Sequence, residues 1–146
     1  NLQKNKIKYI IDYIYMIHAI DSLSLAQEIE KRAKNIGRKV KGLLEVNISG
    51  EESKSGFSIQ EIKAISCDLA KMANLEIIGL MTMAPFTEDE EIIRSSFRGL
   101  YKLRDELNIE FFNGNLSELS MGMTNDYKIA LEEGATMIRI GSKIFL

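Results

Sequence analysis

Residues 75–107 read LEIIGLMTMAPFTEDEEIIRSSFRGLYKLRDEL, and this stretch decides the fold class. Its first part, from Leu75 to Met83, is an apolar run typical of a strand that is buried on both faces. Thr87-Glu88-Asp89-Glu90 then has the form of a capping box, the local pattern that begins many helices. Apolar residues follow at helical spacing as far as Leu107. The stretch therefore predicts one strand–helix unit of a parallel α/β fold.

The same alternation of strand and helix patterns extends along the rest of the chain. Strands are predicted at Tyr13–Ile17, Lys39–Ile48, Leu75–Met83, Leu116–Met121 and Met137–Phe145, the last interrupted by Gly141-Ser142. Further helices are predicted from capping boxes at Ser24-Leu25-Ala26-Gln27 and Ser58-Ile59-Gln60-Glu61, and a short one at about Asn125 to Glu132, closed by Gly134. Strands that alternate with helices pair in parallel through right-handed crossovers.

The length of the chain limits which parallel fold it can form. These patterns alone do not separate a barrel from a doubly wound open sheet. An eight-stranded barrel of about 250 residues uses about 31 residues per unit. The 146 residues here would hold four to five such units, which agrees with the five predicted strands. We therefore expect a single domain, residues 1–146, with too few strands to close a barrel.

Composition excludes several classes of protein. The net charge is −2, and this slightly acidic balance argues against a dedicated nucleic-acid binder. No apolar stretch approaches the ~18 residues of a membrane-spanning helix. The chain has one cysteine, Cys67, and one histidine, so its composition argues against a transition-metal site and against an internal disulfide. This cysteine usage fits a cytoplasmic setting.

The first residues carry neither an initiator methionine nor an apolar signal region. They read NLQKNK, from Asn1 to Lys6. A secretory signal would need a basic start followed by an apolar segment. The expectation is a chain that has been cut from a longer one.

Two polar turns follow the last two predicted strands, where parallel α/β folds bind ligands. The first, Ser120-Met121-Gly122-Met123-Thr124, leads into a helix, and the second is Gly141-Ser142. Hydroxyl groups, glycine and a helix N-terminus together favour an anion. The alternative is that these are ordinary capped loops. Because the two strands are consecutive, the turns are predicted to share one phosphate group.

Four further residues, on or just after predicted strands, have both functional and structural interpretations. Arg139 lies on an apolar strand, so it needs a partner, either a ligand or a structural ion pair. Lys54, in the polar loop after the second strand, could reach an anion or an aldehyde, or simply lie in solvent. Met81 is either lining for a planar ligand or core. His18, beside Asp21, is predicted more readily as a structural residue than as a base.

Seven motifs in order resemble the pyridoxal phosphate homeostasis proteins, single-domain relatives of the alanine racemase barrel. The residues that carry the resemblance are Leu2-Gln3-Lys4-Asn5-Lys6, His18-Ala19-Ile20-Asp21-Ser22, Val46-Asn47-Ile48-Ser49-Gly50-Glu51, Ser53-Lys54-Ser55-Gly56, Gly79-Leu80-Met81-Thr82-Met83, Leu119-Ser120-Met121-Gly122-Met123-Thr124 and Gly134-Ala135-Thr136-Met137-Ile138-Arg139-Ile140-Gly141-Ser142. Each motif is modest alone, but seven in this order are specific, and they cover essentially the whole chain.

The resemblance implies a fold and a cofactor. The fold is the (β/α)₈ TIM-barrel, here an incomplete barrel of about five parallel strands without the first three. The cofactor is pyridoxal 5′-phosphate (PLP), held as a Schiff base by a lysine that would precede Asn1. The family resembles a non-catalytic carrier or buffer in vitamin B6 and amino-acid metabolism, so PLP-dependent apo-enzymes are candidate partners. No nucleic-acid or membrane partner is implied.

The resemblance also assigns roles to particular residues. It implies that phosphate is held by Ser120, Thr124, Gly141 and Ser142. Arg139 would face the pyridine nitrogen. Cofactor neighbours would be Asn47, Met81 and Lys54, the last matching a family lysine that accepts or passes on the aldehyde. Two alternatives stay open: a PLP-dependent amino-acid racemase, and another phosphate-binding barrel that takes a flavin or a sugar phosphate.

Overall fold

The computed structural model describes residues 2–145, and it contains all five predicted strands. After a 3₁₀ turn (Lys4–Lys6), the elements are α1 (Ile7–Ile10), β1 (Met16–Ile20), α2 (Leu23–Asn35), β2 (Val40–Glu45), α3 (Ile59–Ala70), β3 (Leu75–Met81), α4 (Glu90–Leu107), a π-type turn (Asn108–Phe112), β4 (Glu118–Met123), α5 (Tyr127–Glu132) and β5 (Met137–Arg139). Within residues 2–145, every helix is too short or too polar to cross a lipid bilayer.

The strand order identifies the sheet as part of a barrel. All four strand pairings are parallel, and the order in space is the order in the chain, β1-β2-β3-β4-β5. A doubly wound sheet reverses its strand order at a switch point, whereas a barrel adds each new strand on the same side. The five strands therefore form an arc of a barrel covered by helices, which confirms the predicted fold class.

The two faces of this half-barrel have different chemistry. On the outer face, the register aligns Leu44, Leu80 and Leu119, which lie in the buried apolar core beneath the helices. Side chains alternate along a strand, so the next residue of each strand points to the inner, concave face. The register there aligns Glu45, Met81 and Ser120, all buried. The inner face thus carries polar groups at the carboxyl ends of the strands.

The first strand begins later than predicted. Tyr13 and Tyr15 were expected in a buried strand, but their side chains are 87% and 71% exposed, and the strand starts at Met16. The preceding residues form a helical turn instead. The Arg38 guanidinium donates hydrogen bonds to the carbonyl oxygens of Ile11 and Ile14, the C-terminal carbonyls of that turn. This long-range cap satisfies the helical turn and so removes the residues before Met16 from the sheet.

The helix caps confirm one predicted capping box and correct two. At α3, Ser58 and Glu61 form both reciprocal bonds of the box. The caps of α2 and α4 are Ser22 and Asp89, so the predicted starts at Ser24 and Thr87 were wrong by two residues. Serine, threonine and aspartate all serve as caps, and neighbouring candidates therefore compete within one turn.

The fifth strand ends at Arg139 and not at Phe145 as predicted.

An ionic brace joins α4 to α5 on the outside of the half-barrel. Arg94 and Arg98 both pair with Glu133, at 3.1 Å and 3.0 Å, and Arg94 also pairs with Glu132. Burial alone would raise the pKa of Glu133, but its bonds to both arginines hold that pKa below its usual range. The brace fixes the short helix α5, which directly follows the turn that contains Thr124.

Candidate functional site

Arg139 is anchored on the inner face by two hydrogen bonds. Its Nη1 donates to Ser120 Oγ at 2.6 Å, and its Nη2 donates to the carbonyl oxygen of Thr82 at 3.0 Å. In the described part of the chain, no carboxylate lies within ion-pair distance of this guanidinium. Arg139 is therefore held by neutral groups, and the structural ion pair considered above is absent from residues 2–145.

The charge of Arg139 lies in a half-buried environment. Burial lowers its pKa, and the carboxylates of Asp126 and Glu45 oppose that shift. Arginine remains protonated in proteins despite such shifts. Three of its five N–H groups stay free of the two anchoring bonds, since each of those bonds uses one. The side chain is thus a fixed cation with donors to spare for a ligand acceptor.

The turns after β4 and β5 meet through their hydroxyl groups. Ser142 Oγ and Thr124 Oγ1 are 3.3 Å apart and hydrogen-bonded, although 18 residues separate them. Gly122 precedes the first turn with φ +97°, and a Cβ there would lie 2.6 Å from Ala130 Cβ. A side chain is therefore excluded at Gly122, where the strand turns towards α5. The first turn is closed by a hydrogen bond from the Met123 N–H to Asp126 Oδ1.

Gly141 leaves open space beside the second turn. A Cβ built on Gly141 would have no heavy atom within 4 Å. The backbone there is accessible, and Ser142 beside it is exposed. Two adjacent hydroxyls and an accessible backbone form a donor set suited to an anion, and Arg139 lies on β5, the strand that leads into the second turn.

The structure places Ser120 with Arg139 and not in the turn. Ser120 was predicted among the phosphate-binding turn residues, but it lies within β4 and is fully buried. Its hydroxyl accepts from Arg139 and lies 3.4 Å from His18 Nδ1. The predicted set of four phosphate residues thus divides in two. Thr124, Gly141 and Ser142 occupy the turns, and Ser120 lies deeper and orients the arginine.

Asn47 closes the loop that carries Lys54. Its Nδ2 donates to the Glu51 carbonyl oxygen at 2.8 Å, and its Oδ1 accepts from the Gly50 N–H at 3.0 Å. The Lys54 Nζ donates to the Met83 carbonyl oxygen at 3.4 Å and lies 3.6 Å from Glu51 Oε1. Lys54 is therefore held across the carboxyl end of β3 and does not extend into solvent. Asn47 shapes this loop with its own polar atoms.

Glu45 is a functional candidate that the sequence interpretation missed. It is 2% exposed, its Oε1 accepts from Ser55 Oγ at 3.1 Å, and its Oε2 has no hydrogen-bond partner among the described residues. Burial raises its pKa, the Ser55 bond opposes the shift, and the nearby Asp21 charge adds to it. The available signal was a carboxylate inside the apolar run of a buried strand, where a charge is costly.

The sequence comparisons place the chain in a known family. The family described as "Alanine racemase, N-terminal domain" matches residues 2–146. The chain belongs to this family. Among curated members, it is 44% identical over 146 residues to the pyridoxal phosphate homeostasis protein of Aquifex aeolicus, covering 99% of this chain and 63% of that protein. It is 36% identical to the human protein of the same name, covering 55% of that protein.

Two solved structures have the same fold as this chain. PipY of Synechococcus elongatus, determined with PLP bound, superposes with a TM-score of 0.93 at 31% identity, covering all of this chain and 68% of PipY. An alanine racemase of Clostridium difficile superposes with a TM-score of 0.78 at 18% identity, covering 97% of this chain and 37% of that one, a likeness of fold alone. The resemblance drawn from the seven motifs is thereby confirmed. The chain spans less than two thirds of the length of the curated relatives that it matches.

Proposed function

We propose that this chain binds PLP as part of a single barrel domain and serves in its homeostasis without turning over a substrate. The single observation that carries the proposal is the bond between Thr124 and Ser142 beside an anchored Arg139. That arrangement offers one phosphate site next to one fixed donor for a ring nitrogen. PipY, which binds PLP, and the names of the curated relatives support it.

Each predicted site residue has a place in this proposal. Thr124, Gly141 and Ser142 hold the phosphate, since hydroxyls and an accessible backbone are donors for its oxygens. Arg139 donates to the pyridine nitrogen, and Ser120 orients Arg139. The remaining neighbours are Met81, which lies beside Ser120 in the register and packs on the ring, and the loop residues Asn47 and Lys54.

Arg139 supports a role without turnover. Bound PLP supplies an aldehyde and an electron-withdrawing ring. A guanidinium stays protonated, so it donates to the ring nitrogen and leaves that nitrogen without a proton of its own. An unprotonated ring withdraws electrons less strongly, which disfavours proton abstraction from a bound amino acid. The residues of this site therefore favour retention of the cofactor over reaction.

A ligand series tests the binding proposal. The purified protein is titrated with PLP, with pyridoxal, which lacks the phosphate, and with inorganic phosphate. We expect PLP to bind at least about ten-fold more tightly than pyridoxal, because hydrogen bonds to a charged group contribute about 1.5–3 kcal/mol each. Equal affinities for PLP and pyridoxal, or no binding of PLP, would contradict the proposal.

The alternatives are separated by two further measurements. A racemase-like enzyme would interconvert the enantiomers of alanine when loaded with PLP, and we expect no racemisation. A barrel for another phosphate ligand would bind a flavin or sugar phosphate more tightly than PLP. The proposal places the protein in the cytoplasm with PLP-dependent apo-enzymes as recipients. Transfer is tested by mixing the loaded protein with such an apo-enzyme and measuring the rate at which activity appears.

A further inference from the structure

His18 reaches across the inner face from β1 to β4. Its Nδ1 lies 3.4 Å from Ser120 Oγ, and the two residues are separated by 102 positions in the chain. Ser120 in turn accepts from Arg139 Nη1 at 2.6 Å. The three side chains form a hydrogen-bonded series, Arg139 to Ser120 to His18, which spans the arc of the half-barrel. The proposed binding of PLP uses Arg139 and leaves His18 without a role.

The chemistry of the three groups fixes the direction of these bonds. A guanidinium only donates, so Ser120 Oγ must be the acceptor from Arg139. The hydroxyl keeps one proton of its own, and this proton is free to donate to His18 Nδ1. For that bond, Nδ1 must be unprotonated, and the ring proton of neutral His18 must therefore be on Nε2. The series then has one acceptor for each donor.

A protonated His18 does not fit this arrangement. Its Nδ1 would carry a proton and would no longer accept from Ser120. It would also place a second positive charge beside Arg139. Burial and the charge of Arg139, in that order, lower the pKa of His18, so both favour the neutral ring.

We propose that neutral His18 is a positioning residue, which through Ser120 holds the Arg139 guanidinium in the orientation that binds the cofactor ring. This inference rests on the proposed PLP site. The hydroxyl of Ser120 is a rotor, and an acceptor at His18 Nδ1 leaves its lone pairs directed at Arg139. Without that acceptor the hydroxyl can turn, and one of the two anchors of the guanidinium becomes weaker.

Three carboxylates are the other charged groups that act near this hydrogen-bonded series. Asp126, before α5, and Glu45, on β2, are both close enough to Arg139 to raise its pKa. Asp21, after β1, raises the pKa of Glu45. These carboxylates act on the site whether or not position 18 is histidine. A variant at position 18 therefore separates the contribution of His18 from theirs.

The first test needs no ligand. Since His18 is the one histidine of the 146 residues, ¹⁵N NMR of labelled protein reports its two ring nitrogens without ambiguity. We expect a neutral ring with the proton on Nε2 at pH 7 and a titration midpoint below the ordinary 6.5. We also expect that midpoint to rise in Arg139→Met. A proton on Nδ1 in the neutral ring, or a charged ring at pH 7, would overturn the inference.

The second test measures PLP affinity between pH 5 and 8 in three proteins. The side chain of His18→Asn presents an acceptor oxygen near the position of Nδ1 and does not titrate. His18→Leu has no acceptor. We expect PLP binding about three- to ten-fold weaker in His18→Leu at pH 7.5, the range for one neutral hydrogen bond, and rescue in His18→Asn. We expect wild-type affinity to fall below that of His18→Asn as the pH decreases.

The pH profile separates positioning from a merely structural role. PLP itself titrates in this range, but its titration is common to wild type and His18→Asn and cancels between them. Wild-type affinity that parallels His18→Asn at every pH, or unchanged binding in His18→Leu, would refute the role of His18 and leave the PLP site intact. Absence of PLP binding by the wild type at pH 7.5 would instead refute the proposed function.

Discussion

Thr124 and Ser142 join two turns on neighbouring strands through a 3.3 Å hydrogen bond between their hydroxyl groups. Ser142 Oγ donates and Thr124 Oγ1 accepts, so this single bond leaves the Thr124 proton unused. Because Ser142 is exposed and Thr124 is partly exposed, an acceptor such as an anion can receive a hydrogen bond from both hydroxyls. The bond brings two loop motifs from different strands together, as one shared phosphate site in the proposed function requires.

Removal of either hydroxyl is expected to weaken PLP binding. We predict a loss of about ten-fold or more in Thr124→Val and in Ser142→Ala, because each loses one hydrogen bond to a charged group. Isothermal titration with PLP measures the effect. Ser117→Ala removes an exposed hydroxyl from the opposite end of the same strand and serves as the control. A loss as large in the control as in the two site variants would contradict the assignment.

A methyl group at position 79 is expected to separate β3 from β4. A Cβ on Gly79 would lie 2.1 Å from the carbonyl oxygen of Glu118, which belongs to the backbone of the neighbouring strand. We predict that Gly79→Ala lowers the free energy of unfolding by about 3 kcal/mol, a large overpacking effect. Urea denaturation measures it. Gly141→Ala, whose Cβ meets no heavy atom within 4 Å, is the matched control and should unfold like wild type.

Glu45 is expected to make stability decrease as the pH rises. Burial raises its folded pKa above the ordinary 4.5, so the folded state binds this proton more tightly than the unfolded state. Stability from this group is full below pH 4.5 and is lost as the pH rises through the folded pKa. We predict that Glu45→Gln matches wild type near pH 4 and is about 1 kcal/mol more stable at pH 8.

Urea denaturation of Glu45→Gln and wild type at pH 4, 6 and 8 measures this difference. Glu52→Gln, an exposed glutamate in the following loop, serves as the control for a change of net charge. A constant difference between Glu45→Gln and wild type at all three values would show that Glu45 does not titrate between them.

Glu30 is expected to fix the start of β3. Its carboxylate, on α2, accepts from the backbone N–H groups of Ala73, Asn74 and Leu75 at 3.2, 2.8 and 2.6 Å. We predict that Glu30→Ala lowers the free energy of unfolding by about 2 kcal/mol, since it leaves three donors without their charged acceptor. Thermal unfolding measures the loss.

Glu28→Ala is the control for the Glu30 prediction. Glu28 lies on the same helix, and its one ion pair among residues 2–145 is with Arg32 one turn away, a type of bond that contributes little to stability. Equal losses of stability in Glu28→Ala and Glu30→Ala would mean that the loss comes from the change within α2 and not from the missing Glu30 bonds at the start of β3.

Local patterns in the sequence were sufficient for the alternation of strands and helices and for the two turns, whereas the barrel was implied by the resemblance. Leu75–Met81 and the apolar face of α4 from Ile93 to Leu107 lie where their periodicity predicts, because these patterns report burial directly. The hydroxyl turns were found because they follow consecutive strands. Strand ends were less predictable, as at Met16, because Arg38 caps the preceding turn from 24 and 27 residues away.

The interior contacts were beyond sequence interpretation. No local pattern links His18 to Ser120. The two side chains meet only because β1 and β4, in their places in the arc, both direct a side chain to the inner face. Ser120 was grouped with Thr124 because they share a motif. In the structure, the strand extends past Ser120, and its side chain points inwards to Arg139.

The ionic brace on the outer surface has a consequence for the interior. Helix α5 has six residues and begins three positions after Thr124, so the pairs that Glu132 and Glu133 form with the arginines of α4 also hold the turn that carries Thr124. Dissolved salt screens the exposed Glu132 pair strongly and the partly buried Glu133 pairs less. If the turn binds phosphate as proposed, a high ionic strength weakens that binding in two ways, by competing for the donors of the turn and by weakening the ion pairs that hold α5.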